Sequence, residues 1–587
     1  MFAFDIIDGR ARNAVPCGRL FYDAERDEWG IQIAEGAGPE EVPFLFSSFV
    51  ERGERAIGPA WARRWVAERV VPPGRQNLGE VLRANGLREY SEFALLAIGK
   101  GACSQDYFVL RGPFPVDDDG EILDDRRQLR QSIGRAVAEA RRCIQCPNTP
   151  CVGGCPVGVP IPRFVEQVAE GNFARAYAIV KSANSLPAIC GRVCPQETQC
   201  EGVCTRGRNG EPVAIGRLER FTSDWAFAHP EEAAAAMDGL REECAAGDEL
   251  ACSIWRGAEG AVSQDLAGKR VAVIGSGPAS LTCAGELVKR GCDITVFEAL
   301  HKVGGVLTYG IPEFRLPKDL VQREVSKLGD KGVSFEVNAL VGKLYDIDEL
   351  MEDRGFDAVF VGTGAGLPSY LGIEGEGLNG VSVASELLTR VNLMKAYQFP
   401  EYETPVYAGK KCVVVGGGNV AMDATRTAVR LGAASVKCVY RRRISDMTAL
   451  PEEIEGAMAE GCEVLPLKAP VRIETDDDGA VTALVVQPQV IGEVRGGRPA
   501  PRKADQPEER IACDVVLMAV GQVVDSKSFA QAGVPTDHNN IVTADDGSVP
   551  GLEGVFSGGD CVSGPATVIL AIEAGKVAAA SIDEYLG

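Results

Sequence analysis

The segment Val271–Ser280, VAVIGSGPAS, indicates the fold of the second half of the chain. Its β-branched run predicts a buried strand, and the residues that follow, LTCAGELVKRG, predict a helix. Gly275 allows the tight turn between them, and Gly277 lets the main chain approach a pyrophosphate at the helix N-terminus, where Pro278 lies. Ser280 occupies the third glycine position and is still small enough for the helix to pack on the strand. The segment therefore predicts a dinucleotide site.

An acidic residue on the next strand supports this prediction. That strand, DITVFEA, ends at Glu298, which lies 23 residues after Gly275. In dinucleotide-binding βαβ units, an acid near this position accepts a hydrogen bond from a ribose 2′-hydroxyl. Strand, turn, helix, second strand and terminal acid together are a specific signal, and a Gly-rich turn without a ligand is the alternative.

A second copy of the pattern lies in residues 411–423, KCVVVGGGNVAMD. Gly416 and Gly418 take the two turn positions, and Asn419 and Val420 open the predicted helix. A strand, a Gly-rich turn and a helix that recur in this way predict a second nucleotide-binding unit of the doubly wound type.

The second copy differs from the first where its acidic residue would stand. Tyr440 lies 24 residues after Gly416 and is followed by Arg441, Arg442 and Arg443. Guanidinium groups suit a 2′-phosphate, so this site is predicted to prefer NADP(H) to NAD(H). An exposed basic strand end on an acidic protein is the alternative.

A third Gly turn lies near the C-terminus, in residues 555–582. Gly559 and Asp560 follow a predicted strand, and a helix is predicted to begin near Ala566 and Thr567. An acid there could hold the ribityl chain of a flavin, with the helix N-terminus facing the pyrimidine end of its ring. Two dinucleotide folds in tandem suggest one flavin, FAD, and one nicotinamide.

Cysteine supplies the strongest signal before this region. Of 19 cysteines, eight lie between Cys143 and Cys204, in the groups CIQCPNTPCVGGC and CGRVCPQETQCEGVC. Thiolates at this density, with Pro after Cys155 and Cys194, suit [4Fe–4S] clusters. Zinc is the competing prediction, although only one CxxC pair is present. The cysteines outside the two groups are interpreted as packing thiols.

Composition narrows the function classes. The formal net charge is −22 and aromatic residues make up 6% of the chain, which disfavours nucleic acid and anionic membranes as partners. Three widely separated histidines exclude a His-rich metal site. No basic leader and no long apolar run are found, so we expect a cytoplasmic protein without a membrane span.

The two nucleotide motifs, residues 304–318 (GGVLTYGIPEFRLPK), the YRRR segment and the GGD segment together resemble one family. It contains the glutamate synthase small subunit, the N-terminal part of dihydropyrimidine dehydrogenase and the large subunit of electron-bifurcating NADH-dependent ferredoxin:NADP oxidoreductase. The resemblance covers roughly residues 130–587. It implies an α/β fold with two nested Rossmann-like domains, for FAD and NADP, preceded by a helical double [4Fe–4S] domain and a small α+β N-terminal domain.

The resemblance also implies how the cysteines are shared. One cluster takes Cys143, Cys146, Cys151 and the distant Cys204. The other takes Cys155, Cys194, Cys200 and the carboxylate of Glu219, which leaves Cys190 as a spare thiol. For Glu219, a solvated helix residue is the alternative.

The remaining implied contacts lie around the flavin. The resemblance places Gly304, Gly305 and Gly364 among the FAD-binding residues. The IPEFRLPK signature is expected near the flavin, with no proton-transfer role assigned to its Arg315 or Lys318.

The predicted domain boundaries follow from these motifs. The polar stretch 496–509 is predicted to be a surface loop. The expected domains are an N-terminal α+β domain that could dock a partner (1–125), the iron–sulfur domain (126–265), the first part of the FAD domain (266–395), the NADP(H) domain (396–530) and the C-terminal part of the FAD domain (531–587).

The predicted function is that of a flavin and iron–sulfur subunit of an oxidoreductase complex. It would exchange hydride between NADP(H) and FAD and relay single electrons through two [4Fe–4S] clusters to or from a partner protein, with flavin-based electron bifurcation as one version. The expected partners are ferredoxin-linked or flavoprotein redox subunits. The alternatives are a glutamate synthase (NADPH) small subunit, a stand-alone NADPH reductase of a soluble acceptor, and a non-enzymatic assembly or sensor protein.

Overall fold

The computed structural model describes most of the chain, and every structural statement below concerns this part. The described residues are 2–8, 16–24, 26–67, 69–70, 82, 90–99, 108–115, 125–258, 265–399, 402–406, 409–495 and 498–587. They divide into two compact units, residues 1–134 with 458–461 and residues 135–457 with 462–587.

Among its described residues, the first unit contains a five-stranded antiparallel sheet, and three helices lie within the range of its strands. The predicted hairpin is present, because Gly18–Asp23 pairs with Glu28–Ile33. Trp29 and Trp65 are both almost fully buried in a continuous apolar core. The strands, in sheet order, are Ala56–Ile57, Glu28–Ile33, Gly18–Asp23, Phe2–Asp8 and Phe108–Pro115, and the helices are Phe44–Glu51, Pro59–Ala67 and Glu92–Gly99.

The iron–sulfur region is helical, as expected. Three of its helices, Ile161–Glu170, Phe173–Ala183 and Ile215–Ala228, pack against one another, and their buried apolar residues include Phe164, Ile179 and Leu218. The helices are Asp125–Ala140, Pro150–Gly153, Ile161–Glu170, Phe173–Ala183, Pro187–Val193, Ile215–Ala228, Pro230–Ala245 and Glu249–Ala258, with 3₁₀ turns at Gln196–Thr198 and Thr205–Arg208.

Two five-stranded parallel sheets form the nucleotide-binding half. Each has buried, β-branched central strands, which is typical of sheets covered on both faces. The first sheet has the order Val555–Ser557, Ala358–Val361, Arg270–Ile274, Asp293–Glu298 and Ser334–Val337. The second has the order Val381–Val383, Val515–Met518, Lys411–Val415, Ser435–Val439 and Glu463–Leu465.

The second sheet is inserted in the chain between two strands of the first. Ala358–Val361 precedes it and Val555–Ser557 follows it, and these two strands pair directly. The second sheet begins before the expected boundary at residue 396, because Val381–Val383 pairs with Val515–Met518. A short antiparallel pair, Leu367–Pro368 with Gln522–Val523, joins the two crossings of the chain.

The remaining elements complete the nested domains. The predicted loop at 496–509 is wrong in part, since Arg498–Lys503 is a strand that pairs with Val481–Arg495. The strand contains Pro499 and Pro501, which lack a backbone N–H, and it lies at the edge of its sheet, where such residues are tolerated. The antiparallel sheet also contains Lys468–Thr475 and Glu509–Ala512. The main helices of the nucleotide-binding half are Pro278–Val288, Val306–Tyr309, Lys318–Asp330, Ala384–Asn392, Asn419–Arg430, Pro451–Ala459, Lys527–Gln531, Asp560–Ser563 and Val568–Leu586.

Among the described residues, no helix has both the length and the apolar character needed to cross a membrane.

Candidate functional site

The first Gly turn has the conformation that the sequence requires. Gly275 has φ +89°, and a Cβ there would lie 2.5 Å from the Gly362 carbonyl oxygen. Gly277 precedes the helix Pro278–Val288, and a Cβ there would meet no protein atom within 4 Å. Ser280 is buried, and its hydroxyl donates to the Gly362 carbonyl at 3.3 Å. The open space at Gly277, in front of a helix N-terminus, fits a pyrophosphate.

Glu298 is buried at the end of its strand, where the sequence places a ribose-binding acid. Its carboxylate accepts from the Leu300 backbone N–H at 2.8 Å and from the Ser276 hydroxyl. Ser276 also accepts from the Gly304 N–H at 2.9 Å. Ser276 thus links the acid to the loop at Gly304, a role that the sequence did not reveal because this position of the motif varies.

The other predicted FAD contacts lie around the same turn. Gly305 has φ +54°, and a Cβ there would lie 2.9 Å from the Gly277 Cα, so the 304–305 loop lies against the turn. A Cβ at Gly559 would lie 3.0 Å from the Ala279 side chain. Gly364 has φ +69° and open space beside it. The 304–305 loop and Gly559 therefore both lie against the N-terminal end of the helix Pro278–Val288.

The C-terminal segment adds an acid and a second helix N-terminus. The Asp560 carboxylate accepts from the Ala566 N–H at 3.2 Å, and burial raises the pKa of this carboxyl to about 6. Thr567 caps the helix Val568–Leu586, and its hydroxyl oxygen accepts from the Leu570 N–H at 3.4 Å. These groups could bind the polar part of a flavin.

The second Gly turn repeats this construction. Gly416 has φ +151°, and a Cβ there would collide with the Ala519 carbonyl oxygen. Gly418 precedes the helix Asn419–Arg430, whose first side chain accepts from the Leu450 N–H at 3.0 Å. Val420 is largely exposed beside it. The helix N-terminus is therefore accessible to a phosphate.

The three arginines after the second strand have different surroundings. Arg441 is exposed and makes no side-chain hydrogen bond or ion pair with the described residues. The Arg442 Nε donates to the Pro499 carbonyl at 2.9 Å. Arg443 pairs with Asp446 at 2.8 Å. Of the two predicted NADP ligands, Arg441 thus has its whole guanidinium available, and Arg442 is partly engaged.

The IPEFRLPK segment joins the two nucleotide-binding domains. Arg315 Nη1 donates to both carboxylate oxygens of Asp423, on the helix of the second Gly turn, at 2.9 and 3.0 Å. Arg315 Nε lies 2.8 Å from Glu453 Oε1. The Lys318 ammonium donates to the main-chain carbonyls of residues 307, 311 and 316, and burial lowers its pKa to about 8. These contacts give both side chains a structural role.

The four cysteines expected to bind the first cluster line one small cavity. Cys143, Cys146 and Cys151 come from the loop and short helix after residue 140, and Cys204 comes from the start of a 3₁₀ turn. Burial and the neighbouring sulfur atoms raise the pKa of the Cys151 thiol to about 11, so this thiol needs a bound cation to remain a thiolate. Four sulfur donors around a common space fit a [4Fe–4S] cluster.

The other four candidates line a second cavity. Cys155, Cys194, Cys200 and Glu219 all contribute to it, and so does Cys190. Glu219 is buried, contrary to the solvated alternative, and burial raises the pKa of its carboxyl to about 7. Three sulfur atoms and one carboxylate again form a donor set for a cluster.

The two cavities and the predicted flavin region are neighbours. Ile161 and Ile215 line both cavities, so the two donor sets share part of a wall. Ile569, in the first turn of the helix Val568–Leu586, lines the second cavity. Among the described residues, no three His, Cys, Asp or Glu side chains have the spacing for a single metal ion.

One interpretation of the cysteines outside these groups is wrong. Cys244 and Cys252 are not packing thiols but form a disulfide between the helices Pro230–Ala245 and Glu249–Ala258. The loop between these helices is short and brings the two sulfur atoms together. The sequence contained the pair but no spacing signal that distinguished it from isolated thiols.

The chain matches two family models. Residues 124–231 match "Dihydroprymidine dehydrogenase domain II, 4Fe-4S cluster", and residues 269–575 match "Pyridine nucleotide-disulphide oxidoreductase". The first range contains all eight predicted cluster ligands, and the second contains both Gly turns.

Three curated relatives illustrate the similarity. The chain is 35% identical to the glutamate synthase [NADPH] small chain of Halomonas elongata, over 77% of this chain and 91% of the relative. It is 35% identical to the beta subunit of the NADP(+)-dependent formate dehydrogenase of Moorella thermoacetica, over 75% of this chain and 60% of the relative. It is 32% identical to the beta subunit of the NADPH-Fe(3+) oxidoreductase of Geobacter sulfurreducens, over 77% and 66%.

These matches confirm the predicted family and the predicted enzyme class. The resemblance seen in the motifs extends over most of the chain, and the α/β fold with an iron–sulfur domain is the expected one. The chain belongs to the glutamate synthase small-chain family of FAD- and NADP-dependent iron–sulfur oxidoreductases.

Proposed function

We propose that this chain is the NADP(H)-dependent electron-transfer subunit of an oxidoreductase complex. It exchanges hydride between NADP(H) and FAD and relays single electrons through two [4Fe–4S] clusters to or from a partner protein. The observation that carries the proposal is the spatial order of three features. The helix Val568–Leu586, whose N-terminus lies in the proposed flavin site, borders the second cavity, and the second cavity shares a wall with the first.

In this proposal, the two cavities hold the clusters in a fixed order. The second cavity, with Cys155, Cys194, Cys200 and Glu219, lies next to the flavin region. The first cavity, with its four cysteines, borders the second cavity and is lined by no residue of the helix Val568–Leu586. When bound, FAD takes up electron pairs as hydride and releases them singly, and the protein supplies binding and orientation.

Nucleotide binding follows from the two Gly turns. The FAD site consists of Gly275, Gly277, Pro278, Ser280, Glu298, Gly304, Gly305, Gly364, Gly559, Asp560, Ala566 and Thr567. The NADP(H) site consists of Gly416, Gly418, Asn419, Val420, Arg441 and Arg442. In each proposed site the pyrophosphate binds at a helix N-terminus. In the NADP(H) site, the unpaired guanidinium of Arg441 binds the 2′-phosphate.

The partner protein is proposed to dock where the first cluster approaches the surface. Ile144 lines the first cavity and is 54% exposed, and Val203, beside the ligand Cys204, is 44% exposed. Exposed apolar side chains next to an electron-transfer centre suit a transient protein contact. Residues before 124 lie outside both family models and are a second candidate for partner docking.

A reductive titration tests the proposal. Anaerobic holoprotein is titrated with NADPH and, separately, with NADH, while flavin absorbance and cluster EPR signals are recorded. NADPH should bleach the flavin and reduce the clusters, and NADH should do so poorly. A flavin that is reduced while both clusters stay oxidised would contradict the relay.

The glutamate synthase small chain is the second candidate function, because one such chain matches over 91% of its length. Anaerobic co-purification of the native chain separates the two. A glutamate synthase large subunit among the bound proteins would establish this candidate. A ferredoxin-linked or flavoprotein subunit would support the wider proposal, and bifurcation would then be tested by coupling NADPH oxidation to acceptors of different potential.

A further inference from the structure

The second cavity contains one donor more than a [4Fe–4S] cluster needs. Cys155, Cys190, Cys194, Cys200 and Glu219 all line it, and four iron atoms take four protein ligands. Cys190 is fully buried and lies within hydrogen-bonding reach of Cys194. Something in the protein must therefore determine whether the carboxylate or the extra thiol reaches the iron.

Asn184 contacts both of the competing donors. It is 1% exposed and follows the helix Phe173–Ala183. Its Nδ2 donates to Glu219 Oε1 at 2.7 Å, and its Oδ1 accepts from the Cys190 thiol at 3.6 Å. One buried side chain thus links the two residues.

The orientation of this amide is set by the main chain. The Leu186 N–H, which can only donate, lies 3.0 Å from Asn184 Oδ1. The oxygen must therefore face Leu186 and Cys190, and the nitrogen must face Glu219. A flipped amide would oppose the Leu186 N–H with an NH₂ group and leave a buried donor unpaired.

We propose that Asn184 is a positioning residue that presents Glu219 to the second cluster and withholds Cys190 from it. It holds Oε1 of Glu219, so that Oε2, which has no hydrogen-bond partner among the described residues, is left for iron. Asn184 also accepts a hydrogen bond from the Cys190 thiol, and this contact turns the Cys190 sulfur toward the side-chain carbonyl of Asn184. This inference rests on the proposed role of Glu219 as a ligand.

Replacement of Asn184 separates the two donors. Asn184→Asp keeps the shape and the acceptor for Leu186 but replaces the donor that holds Glu219 with a second oxygen. The expected result is that the carboxylate withdraws and Cys190 takes its place. The g-values and midpoint potential of the second cluster then shift, because ligand identity sets both.

Cys190→Ala is the matched variant. In the wild-type background it should leave the spectrum and iron content of the second cluster unchanged, since Cys190 is not a ligand. In the Asn184→Asp background it should remove the replacement ligand, so that iron is lost from this cluster. The EPR signal of the first cluster and the flavin absorbance show in each variant whether the protein has folded.

The inference is overturned if Asn184→Asp leaves the second cluster's spectrum and potential unchanged, or if the change is the same with and without Cys190. Glu219→Ala tests the underlying assignment separately. A wild-type spectrum and potential in Glu219→Ala would show that Glu219 is not a ligand, whatever Asn184 does.

Discussion

Arg315 and Asp423 form a buried, two-point ion pair that joins the two nucleotide-binding domains. Arg315 Nη1 lies 2.9 and 3.0 Å from the two Asp423 oxygens, and the two side chains are 9% and 5% exposed. Glu453 bridges Arg315 to Arg426, which lies over the Phe314 ring. Asn392 adds hydrogen bonds to the carbonyls of residues 309 and 310. These polar contacts together set the relative orientation of the two nucleotide-binding domains.

Removal of Asp423 should destabilise the protein and slow hydride transfer. Asp423→Ala leaves a buried guanidinium short of its main partner, at a cost of about 3 kcal/mol in the free energy of unfolding. The rate of flavin reduction by NADPH should fall, because the nicotinamide is less well oriented. Stopped-flow reduction and denaturant unfolding measure the two effects. The exposed pair Arg390–Glu386 is the control, since Glu386→Ala should change stability by at most about 0.5 kcal/mol.

The two glycines of the first turn should respond differently to alanine. Gly277→Ala adds a methyl group to open space, so folding is unaffected, but the methyl occupies the path of the pyrophosphate and FAD binding is lost. Gly275→Ala places a Cβ 2.5 Å from a carbonyl oxygen at φ +89° and should unfold the domain. Flavin content and far-UV circular dichroism distinguish the two outcomes. Normal flavin content in Gly277→Ala would contradict the site.

Arg441 should control the choice between NADPH and NADH. Arg441→Ser removes the free guanidinium, and KM for NADPH should rise about 10–100-fold, the equivalent of about 1.5–3 kcal/mol for a charged hydrogen bond. KM for NADH should change little. Arg443→Ser is the matched control, because Arg443 is already paired with Asp446. Equal effects of the two replacements would argue against a specific phosphate contact.

Lys318 should make stability depend on pH in the alkaline range. Burial lowers its pKa from 10.5 to about 8 in the folded protein. Between these values the unfolded chain binds more protons than the folded one, so raising the pH from 8 to 10.5 favours the folded state, by about 3 kcal/mol at most. Lys318→Met removes this contribution. Denaturant unfolding at pH 8 and pH 10 should show a steeper rise with pH in the wild type than in the variant, and parallel slopes would contradict the assignment.

Cys204 and Cys200 are close in sequence but should affect different clusters. Cys204 lines the first cavity and Cys200 the second. Cys204→Ser should remove or alter the EPR signal of the first cluster alone, and Cys200→Ser that of the second alone. Electron delivery to an external acceptor should fall in both, while flavin reduction by NADPH persists. A loss of the same signal in both variants would contradict the division of ligands.

Local pattern made much of the nucleotide-binding half predictable. Strands form before Gly275 and Gly416, and helices form after them, as the hydrophobic pattern and the Gly-rich turns predict. The reason is that residues close together in the sequence determine these elements. The start of the second domain was less predictable. Val381–Val383 joins its sheet through pairing with Val515–Met518, a partner more than a hundred residues away.

Contacts between distant segments could not be predicted either, because local sequence patterns do not determine them. Arg315 and Asp423 are 108 residues apart, and Asn184 and Glu219 are 35 apart. Neither pair has a sequence spacing that would predict the contact. The role of Asn184 becomes visible only in the folded protein, where two helices bring Glu219 and Cys190 next to it. The disulfide Cys244–Cys252 likewise depended on how the two helices turn back on each other.

The sequence by itself determined that the chain has two Gly turns for dinucleotides, a basic rather than acidic second strand end, and two groups of four cysteines, because each of these is local. The distribution of the cysteines around the cavities was expected only from the family resemblance, because no local pattern determines it, and only the tertiary structure produces it. Cys204 leaves its own group to join the first cavity, and Cys155 leaves its group to join the second. The physical reason is that the packing of helices, and not proximity in sequence, determines which side chains line a cavity. The helices Ile161–Glu170 and Ile215–Ala228 begin at the wall between the two donor sets.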